Sequence, residues 1–435
     1  MSFLPPDHPE RLVLAAEVHA RPPEPLDTPA RATYVAALIE PSARAAERAH
    51  LAALCERFGV APPGPEATHF RAAIGPLRIK WERHGEFSGY TFFAAGGHAA
   101  GFEHPATALL PPGWLAAVPG TTAVAAHASL LPAAASPPDA AALAAHFGGE
   151  QVVGAELGHG SGLAYTDFRI HQDGCARFLV LDRDFTPRQA GRMLQRLFEI
   201  EAYRMLALLA LPIARRQLPV VVAIERALAS LTGDIAREGG NDEALLQELT
   251  RLAADVESEL AASQFRFGAS RAYSELVATR IAELREVALP GMQTFDEFMA
   301  RRFRPAMATC ATTSQRLHDL SERVAQASGL LATRVSIARE RQNQALLGSM
   351  DRRAKLQLRL QQTVEGLSVA AIVYYVAGVI GYLAKAFKAG GLGIDSDLVV
   401  GVAIPVVAVA VMMEVRRARR RIAKAEATVG SAAAS

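Results

Sequence analysis

Hydrophobic positions recur at two different spacings along the chain, and near the C-terminus the charges between them disappear altogether. In the first region Leu77, Ile79 and Trp81 alternate with Arg78, Lys80 and Glu82, and Tyr90, Phe92 and Phe93 follow a polar turn containing glycine. A period of two is that of a β-strand, so this stretch predicts a strand pair. A second pair is predicted by LAYTDFRI and CARFLVLD, joined through His171-Gln-Asp-Gly174, where Asp-Gly is the turn signal. Helices are expected around Arg31 to Phe58 and Asp139 to Phe147. The Ala/Pro-rich stretch from Val118 to Leu143 reads as an exposed loop leading into a helix. This mixture predicts an α+β domain with antiparallel pairing over residues 1–185.

From residue 186 the spacing changes to three and four, the period of a helix. One helix is expected to begin near Pro187 and include QAGRMLQRLFEIEAYRMLALLAL, with Pro212 and Pro219 dividing it from a shorter helix around Ala223 to Leu231. The apolar run Met205 to Leu211 is far too short to cross a bilayer and reads as core. A further helix comes after the REGGND loop, with Leu245, Leu249, Leu252, Val256 and Leu260 in register, and another runs from about Ala269 to Leu289. Pro290-Gly291 breaks it, and Thr294-Phe-Asp-Glu297 is a capping box for the next. Pro305 is expected to kink the first turns of the long helix beyond it. No proline then occurs from Ala306 to Ala384, while Leu317, Leu320, Val324, Leu331, Leu346, Met350, Leu356, Leu360 and Val364 form a helix stripe or coiled-coil-like seam. Unbroken, that helix would reach roughly 118 Å. Gln342, Asn343 and Gln344 interrupt the seam, either setting register between helices or lying on a solvated face.

The stretch Gly366 to Ala384, GLSVAAIVYYVAGVIGYLA, carries no charge. As a helix it would be about 28 Å long, close to the thickness of the hydrocarbon core. Leu398 to Met413 is a second uncharged run, shorter and with Pro405 in its middle, open to reading as a span, a re-entrant segment or a buried helix. The flanks favour a span. Arg352, Arg353, Lys355 and Arg359 precede the first run; Arg416, Arg417, Arg419, Arg420, Arg421 and Lys424 come after the second; between them Lys385 and Lys388 are opposed by Asp395 and Asp397. Basic residues favour the cytoplasmic side, so both termini are expected in the cytoplasm of a cell whose inner membrane carries the protein, with a short loop outside. The expected order is a helical region 186–304, a stalk helix 305–365, a first span 366–384, a loop 385–397, a second span 398–413 and a basic tail 414–435.

Gly366, Ala370, Ala377, Gly381 and Ala384 fall near one face of the first span, with Gly378 beside Gly381 in the same region. Small residues allow close helix packing where lipid supplies no hydrophobic drive, so this face is expected to pack on the second span or on another subunit. Tyr374 and Tyr375 lie near mid-span, where a phenol needs a partner in protein or in a water-filled lumen. Gly366, Ala370, Tyr374, Ala377, Gly378 and Gly381 are the candidate pore-lining or helix-packing residues.

Composition narrows the chemistry. The 435 residues carry 46 Lys and Arg against 44 Asp and Glu, a net charge of +2 that lacks the clustered positive surplus of a nucleic-acid binder. Three dispersed cysteines, Cys55, Cys175 and Cys310, make neither a disulfide framework nor a zinc ribbon. The opening Met-Ser-Phe-Leu-Pro-Pro-Asp-His does not resemble a signal peptide, and none is expected. Eleven of twelve histidines lie at or before His171, which raises the question of a metal site. The best cluster, Glu82-Arg-His84-Gly-Glu86, lacks a second histidine at metal-ligand spacing and also reads as a solvated hairpin end. Gly158-His-Gly160-Ser-Gly162 precedes a strand and lacks the Lys-Ser/Thr of a phosphate loop, so it reads as a turn. Glu17-Val-His19-Ala-Arg21-Pro22 is either a site or a helix end. None of these sets meets the standard for a catalytic centre, and no cofactor is expected.

HPERLVLAAEVHARPPEPL, LRIKWERHGEFSGYTFF, TDFRIHQDGCARFLVLD, GRMLQRLFEIEAYRMLALLALP and QNQALLGSMDRRAKLQLRLQQTVEGLSVAAIVYYVAGVIGYLAK together resemble the bacterial domain of unknown function 3422 family. Members of that family are described as predicted membrane-anchored proteins, and the resemblance implies no residue roles. The two-span layout also resembles CorA-type magnesium channels. At the position where those carry a Gly-Met-Asn motif, this chain has Gly381-Tyr-Leu-Ala-Lys385.

Two functions from different classes therefore stand as expectations. The first is a non-enzymatic, membrane-anchored protein that presents a cytoplasmic domain and oligomerises with copies of itself through the stalk and first span. The second is a CorA-like channel or transporter for a divalent cation, without the usual selectivity motif.

Overall fold

In the computed structural model the described residues are 5, 7–12, 14–15, 22–96, 102–149, 151–237, 241–389 and 395–432, with the side chains of 387–389, 396 and 418–432 outside the description. The chain divides into two compact units, Met1–Leu331 and Ala332–Ser435. The first contains strands β1 (Ala30–Leu38), β2 (His69–Ile74), β3 (Leu77–Arg83), β4 (Phe87–Ala95), β5 (Thr121–Pro132), β6 (Val153–Leu157), β7 (Gly162–Thr166), β8 (Ala176–Asp182) and β9 (Val287–Ala288). Its helices are α1 (Arg44–Arg57), α2 (Ala140–Phe147), α3 (Pro187–Leu208), α4 (Leu211–Ala236), α5 (Asp242–Leu284) and α6 (Phe295–Arg302). Helix α7 (Arg304–Ala389) starts in the first unit and ends in the second, which also holds α8 (Ser396–Ala432).

All nine strands join one sheet in the order β2-β3-β4-β1-β5-β8-β7-β6-β9. Every neighbouring pair is antiparallel except β5 with β8, so the sheet is mixed where antiparallel pairing alone was expected. One face is covered by α3, the end of α5 and α6, which bury Phe178, Leu197, Ile200, Ile281 and Phe295 in a shared core. Each such fully buried side chain contributes about 1.5–3 kcal/mol of transfer free energy. On the opposite face Leu51 and Leu54 of α1 pack on Trp81, Tyr90 and Phe92, and Leu143 and Phe147 of α2 pack on Leu163, Tyr165 and Leu179. A separate helical core joins α4, the first half of α5 and the start of α7 through Val221, Leu228, Leu249, Val256, Leu317 and Val324.

Both predicted strand pairs are present, as β3–β4 and β7–β8, and the Gly158–Gly162 segment is the turn between β6 and β7. Thr294 and Glu297 form the expected reciprocal cap. Other elements differ from expectation, each for a local reason. Residues 30–38 are the central strand β1 rather than the start of a helix, and 121–132 form β5 rather than a loop. Their alanines are good helix formers, yet Ala32, Ala36, Ala126 and Ala128 lie beneath the covering helices, where small side chains let those helices approach the sheet closely. Pro219 sits inside α4, and Pro212 in its first turn, so the helix break falls at residues 209–210. The two helices expected after the REGGND loop are one 43-residue helix, α5. Pro305 occupies the first turn of α7, where a missing N–H breaks no hydrogen bond, so it starts this helix rather than kinking it.

Candidate functional site

The register of β3, β4 and β1 aligns Lys80, Thr91 and Tyr34 in one row across the sheet. That row faces α3 and the end of α5, and between them lies a cavity of about 280 Å³. Its sheet side is formed by Tyr34, Lys80, Glu82, Phe87, Thr91 and Phe93; its helix side by Gly191, Gln195, Phe198, Glu199 and Tyr203 of α3 and Arg280 of α5; Glu24 and His84 complete it. Two glycines shape it. A Cβ on Gly191 would lie 1.7 Å from the Glu24 carbonyl oxygen, so only glycine lets α3 approach the 24–26 segment, where Leu26 N–H donates to Pro187 O at 2.9 Å. A Cβ on Gly89 would press on the Tyr34 ring at 3.1 Å.

The cavity is strongly charged for its burial. Lys80 is 4% exposed; its ammonium lies 3.0 Å from Glu82 Oε1 and donates to Gln195 Oε1 at 3.2 Å. Gln195 Nε2 donates in turn to Glu199 Oε1 at 2.7 Å, and Arg280 Nε donates to Glu199 Oε2. A charge as deep as Lys80 persists only when paired, and it is; Glu82, Glu199 and Arg280 are partly exposed and paired as well. Burial, reinforced by Tyr203, Glu82 and Glu199, pushes the Tyr34 phenol well above its ordinary pKa. Burial draws Arg280 down, but Glu199 and Glu283 outweigh it and hold the guanidinium above its usual value. The Tyr34 ring stacks on Phe198 at 5.4 Å, and Tyr203 stacks on Tyr273 at 5.7 Å, so the walls are aromatic.

In the second unit, a groove of about 880 Å³ runs between α7 and α8. Gly366, Ala370, Tyr374, Ala377, Gly378 and Gly381 line one side of it, and Asp397, Val400, Ile404 and Ala408 the other. Gly381 makes the closest approach: a Cβ there would meet Val400 Cγ2 at 3.1 Å.

A family model described as "Protein of unknown function (DUF3422)" matches residues 6–422. The chain belongs to the DUF3422 family. No curated protein and no solved structure matches it.

In this DUF3422 chain Gly366, Ala370, Tyr374, Ala377, Gly378 and Gly381 line one groove, with Tyr374 76% exposed, while Tyr375, 71% exposed, is not among the lining residues. The Glu82-Arg-His84-Gly-Glu86 cluster is divided. Glu82 and His84 line the cavity, whereas Glu86 forms an ion pair with Arg266 of α5. Among the described residues no three His, Cys, Asp or Glu side chains are arranged to hold a metal ion. Glu17, His19 and Arg21 lie outside the described residues. Sequence reasoning missed Lys80, Glu199, Arg280 and Tyr34 as site residues. Alternation marks Lys80 and Glu82 as one polar strand face; that this face is covered depends on α3 and α5, more than a hundred residues away in sequence.

Proposed function

We propose that the chain is a membrane-anchored protein that presents its first unit in the cytoplasm and holds it at the inner membrane through two spans. The observation that carries this reading is unpartnered apolar surface on the second unit. The most apolar window of the long helix has mean hydropathy 2.0 with 11% of its residues buried, and that of Asp397–Arg417 has mean hydropathy 2.5 with none buried. Leu367, Val379, Leu398 and Val406 are more than half exposed. Water does not tolerate so continuous an apolar surface, and a bilayer does. A third stretch, Pro187–Ala236, is also long and apolar enough to cross a membrane. There Leu206, Ala207, Ala210, Ala214 and Val221 are buried within the first unit, so its apolarity has a use in the protein core. The basic flanks favour both termini on the cytoplasmic side.

The role assigned is presentation and binding rather than catalysis, since Lys80, Glu82, Glu199 and Arg280 are engaged with one another or with Gln195. Association with further copies is part of the proposal, because Leu346, Met350, Leu356, Leu360 and Val364 of α7 are exposed in a single chain. A second reading, a CorA-like divalent-cation channel, has the groove beside Tyr374 and Gly381 in its favour. Lys385 at that groove opposes it.

Alkaline extraction of membranes tests the anchor. The full chain is expected to stay in the pellet, and a chain lacking residues 366–413 to move to the supernatant. Release of the full chain would contradict the reading. The particle mass in nanodiscs separates the two roles: a pentamer favours the channel, a monomer or dimer the anchor.

A further inference from the structure

We propose that the cytoplasmic ends of the two spans together form a binding surface for anionic phospholipid headgroups, made by Arg352, Arg353 and Arg359 of α7 and Arg416 and Arg417 of α8. This rests on the anchor reading and adds to it a lipid class and the residues that select it. The pairing of the helices brings those residues to one place. Gly381 of α7 meets Val400 of α8, and Ala370 and Ala408 line the same groove, so the two helices run antiparallel. Gly366 lies 15 residues before Gly381, and Val415 lies 15 residues after Val400. At the helical rise both are roughly 22 Å from that contact. The basic residues that precede Gly366 and follow Val415 therefore begin at one level.

The charge at that level is one-sided. Residues 351–365 and 414–426 hold ten basic side chains and four acidic ones, in a chain whose totals are 46 and 44, so the rest of the chain is net negative. Little of this charge is neutralised internally. Lys355 pairs with Asp351 at 2.7 Å and Arg417 with Glu414 at 3.3 Å, all four more than half exposed, and exposed pairs are weak. The guanidinium groups of Arg352, Arg353, Arg359 and Arg416 are exposed and bond to no described residue. The other end of the helix pair differs: Lys385 and Asp397 both line the groove there, so its charges oppose one another. Like charges gathered at one level repel, and a surface of opposite sign relieves them. A leaflet containing anionic lipid is such a surface, and each basic residue close to it strengthens the attraction about fivefold. Eight of the ten cations are arginines, whose planar fork engages two phosphate oxygens at once and so suits a phosphodiester headgroup.

The test supplies the detergent-solubilised full-length protein with equal amounts of dioleoylphosphatidylglycerol and dioleoylphosphatidylcholine, then counts the retained lipids by mass spectrometry. The phosphatidylglycerol is expected to exceed the phosphatidylcholine by at least about threefold. Most of that excess should vanish as NaCl is raised from about 0.05 M to 0.5 M. Replacing the five arginines by glutamine (Arg352→Gln, Arg353→Gln, Arg359→Gln, Arg416→Gln and Arg417→Gln) should return the ratio to that supplied, whereas Lys385→Gln at the other end leaves it unchanged. Glycerol 1-phosphate, the same phosphate chemistry free in solution, should not displace the lipid. Should the glutamine variant fail to fold, the salt dependence and Lys385→Gln still decide. The proposal is overturned if the parent retains the two lipids equally, if salt leaves the excess intact, if a folded glutamine variant keeps it, if Lys385→Gln abolishes it, or if glycerol 1-phosphate displaces the lipid. Vesicles of phosphatidylcholine alone separate this surface from the anchor itself. A chain that inserts there but shows no headgroup preference keeps its anchor and loses this surface; one that does not insert loses both.

Discussion

The Lys80 ammonium lies 3.0 Å from Glu82 Oε1, two residues along the same strand and on the same face, with only 4% of Lys80 exposed. Breaking such a pair from one side leaves a buried charge without its partner. Glu82→Ala is therefore expected to cost about 3–5 kcal/mol. The double change Lys80→Met with Glu82→Leu, which removes both charges, should cost much less. Thermal unfolding of the three proteins in the same detergent checks the order; equal losses for both variants would refute it.

On the other face of the sheet, buried Glu47 of α1 accepts from Trp81 Nε1 at 2.9 Å and from Tyr90 Oη at 2.8 Å. Burial and the Glu47 carboxylate together push the Tyr90 phenol far above its ordinary pKa. Glu47→Ala strands two donors in an apolar core and should cost about 2–6 kcal/mol, at 1–3 kcal/mol for each unsatisfied group. Tyr90→Phe removes one donor along with its need and should cost clearly less. Denaturation followed by tryptophan fluorescence reads both.

His127 of β5 shares a 2.9 Å hydrogen bond with Thr33 of β1, and burial lowers its pKa to about 4, with Asp173 pulling upward and Arg177 downward. The folded value is depressed below the unfolded one of about 6.5, so the unfolded chain takes up the proton first as pH falls. His127 therefore supports folding above pH 6.5, and that contribution is lost between about pH 6.5 and pH 4, to a total of about 3 kcal/mol. His127→Gln should flatten this part of the stability profile. An unchanged slope would show that other groups carry it.

The second unit begins at Ala332 by compactness, and α7 is largely exposed between there and the first apolar run. A chain ending at Arg353 keeps all three cores of the sheet and the α4–α5–α7 core. It is expected to remain in solution without detergent and to melt cooperatively. Aggregation of that chain, with no thermal transition, would mean that the first unit depends on the second.

What the sequence made legible was whatever depended on near neighbours. The alternation at Leu77–Glu82, the Asp-Gly turn and the Thr294–Glu297 cap each need only a few adjacent residues, and each is where it was expected. Strands β1 and β5 were hidden because their alanines favour a helix locally, while their pairing with β4 and β8 is settled by distant residues. The cavity was hidden for the same reason. Lys80, Glu199 and Arg280 come from β3, α3 and α5, and no spacing along the chain signals that they meet. The residues from Gly366 to Gly381 that line the groove come from one helix, and a helical period alone is enough to bring them to one face.

Two spans with both flanking segments on one side is the central claim, and labelling of introduced cysteines tests it most directly. The three native thiols, Cys55, Cys175 and Cys310, are buried, so a membrane-impermeant maleimide should report chiefly on new ones. In intact cells with the outer membrane made permeable, Asp395→Cys is expected to label readily, and Ser349→Cys and Thr428→Cys only once the inner membrane is opened. Labelling of Ser349→Cys and Asp395→Cys to the same extent before opening, or of neither until after it, would contradict the account.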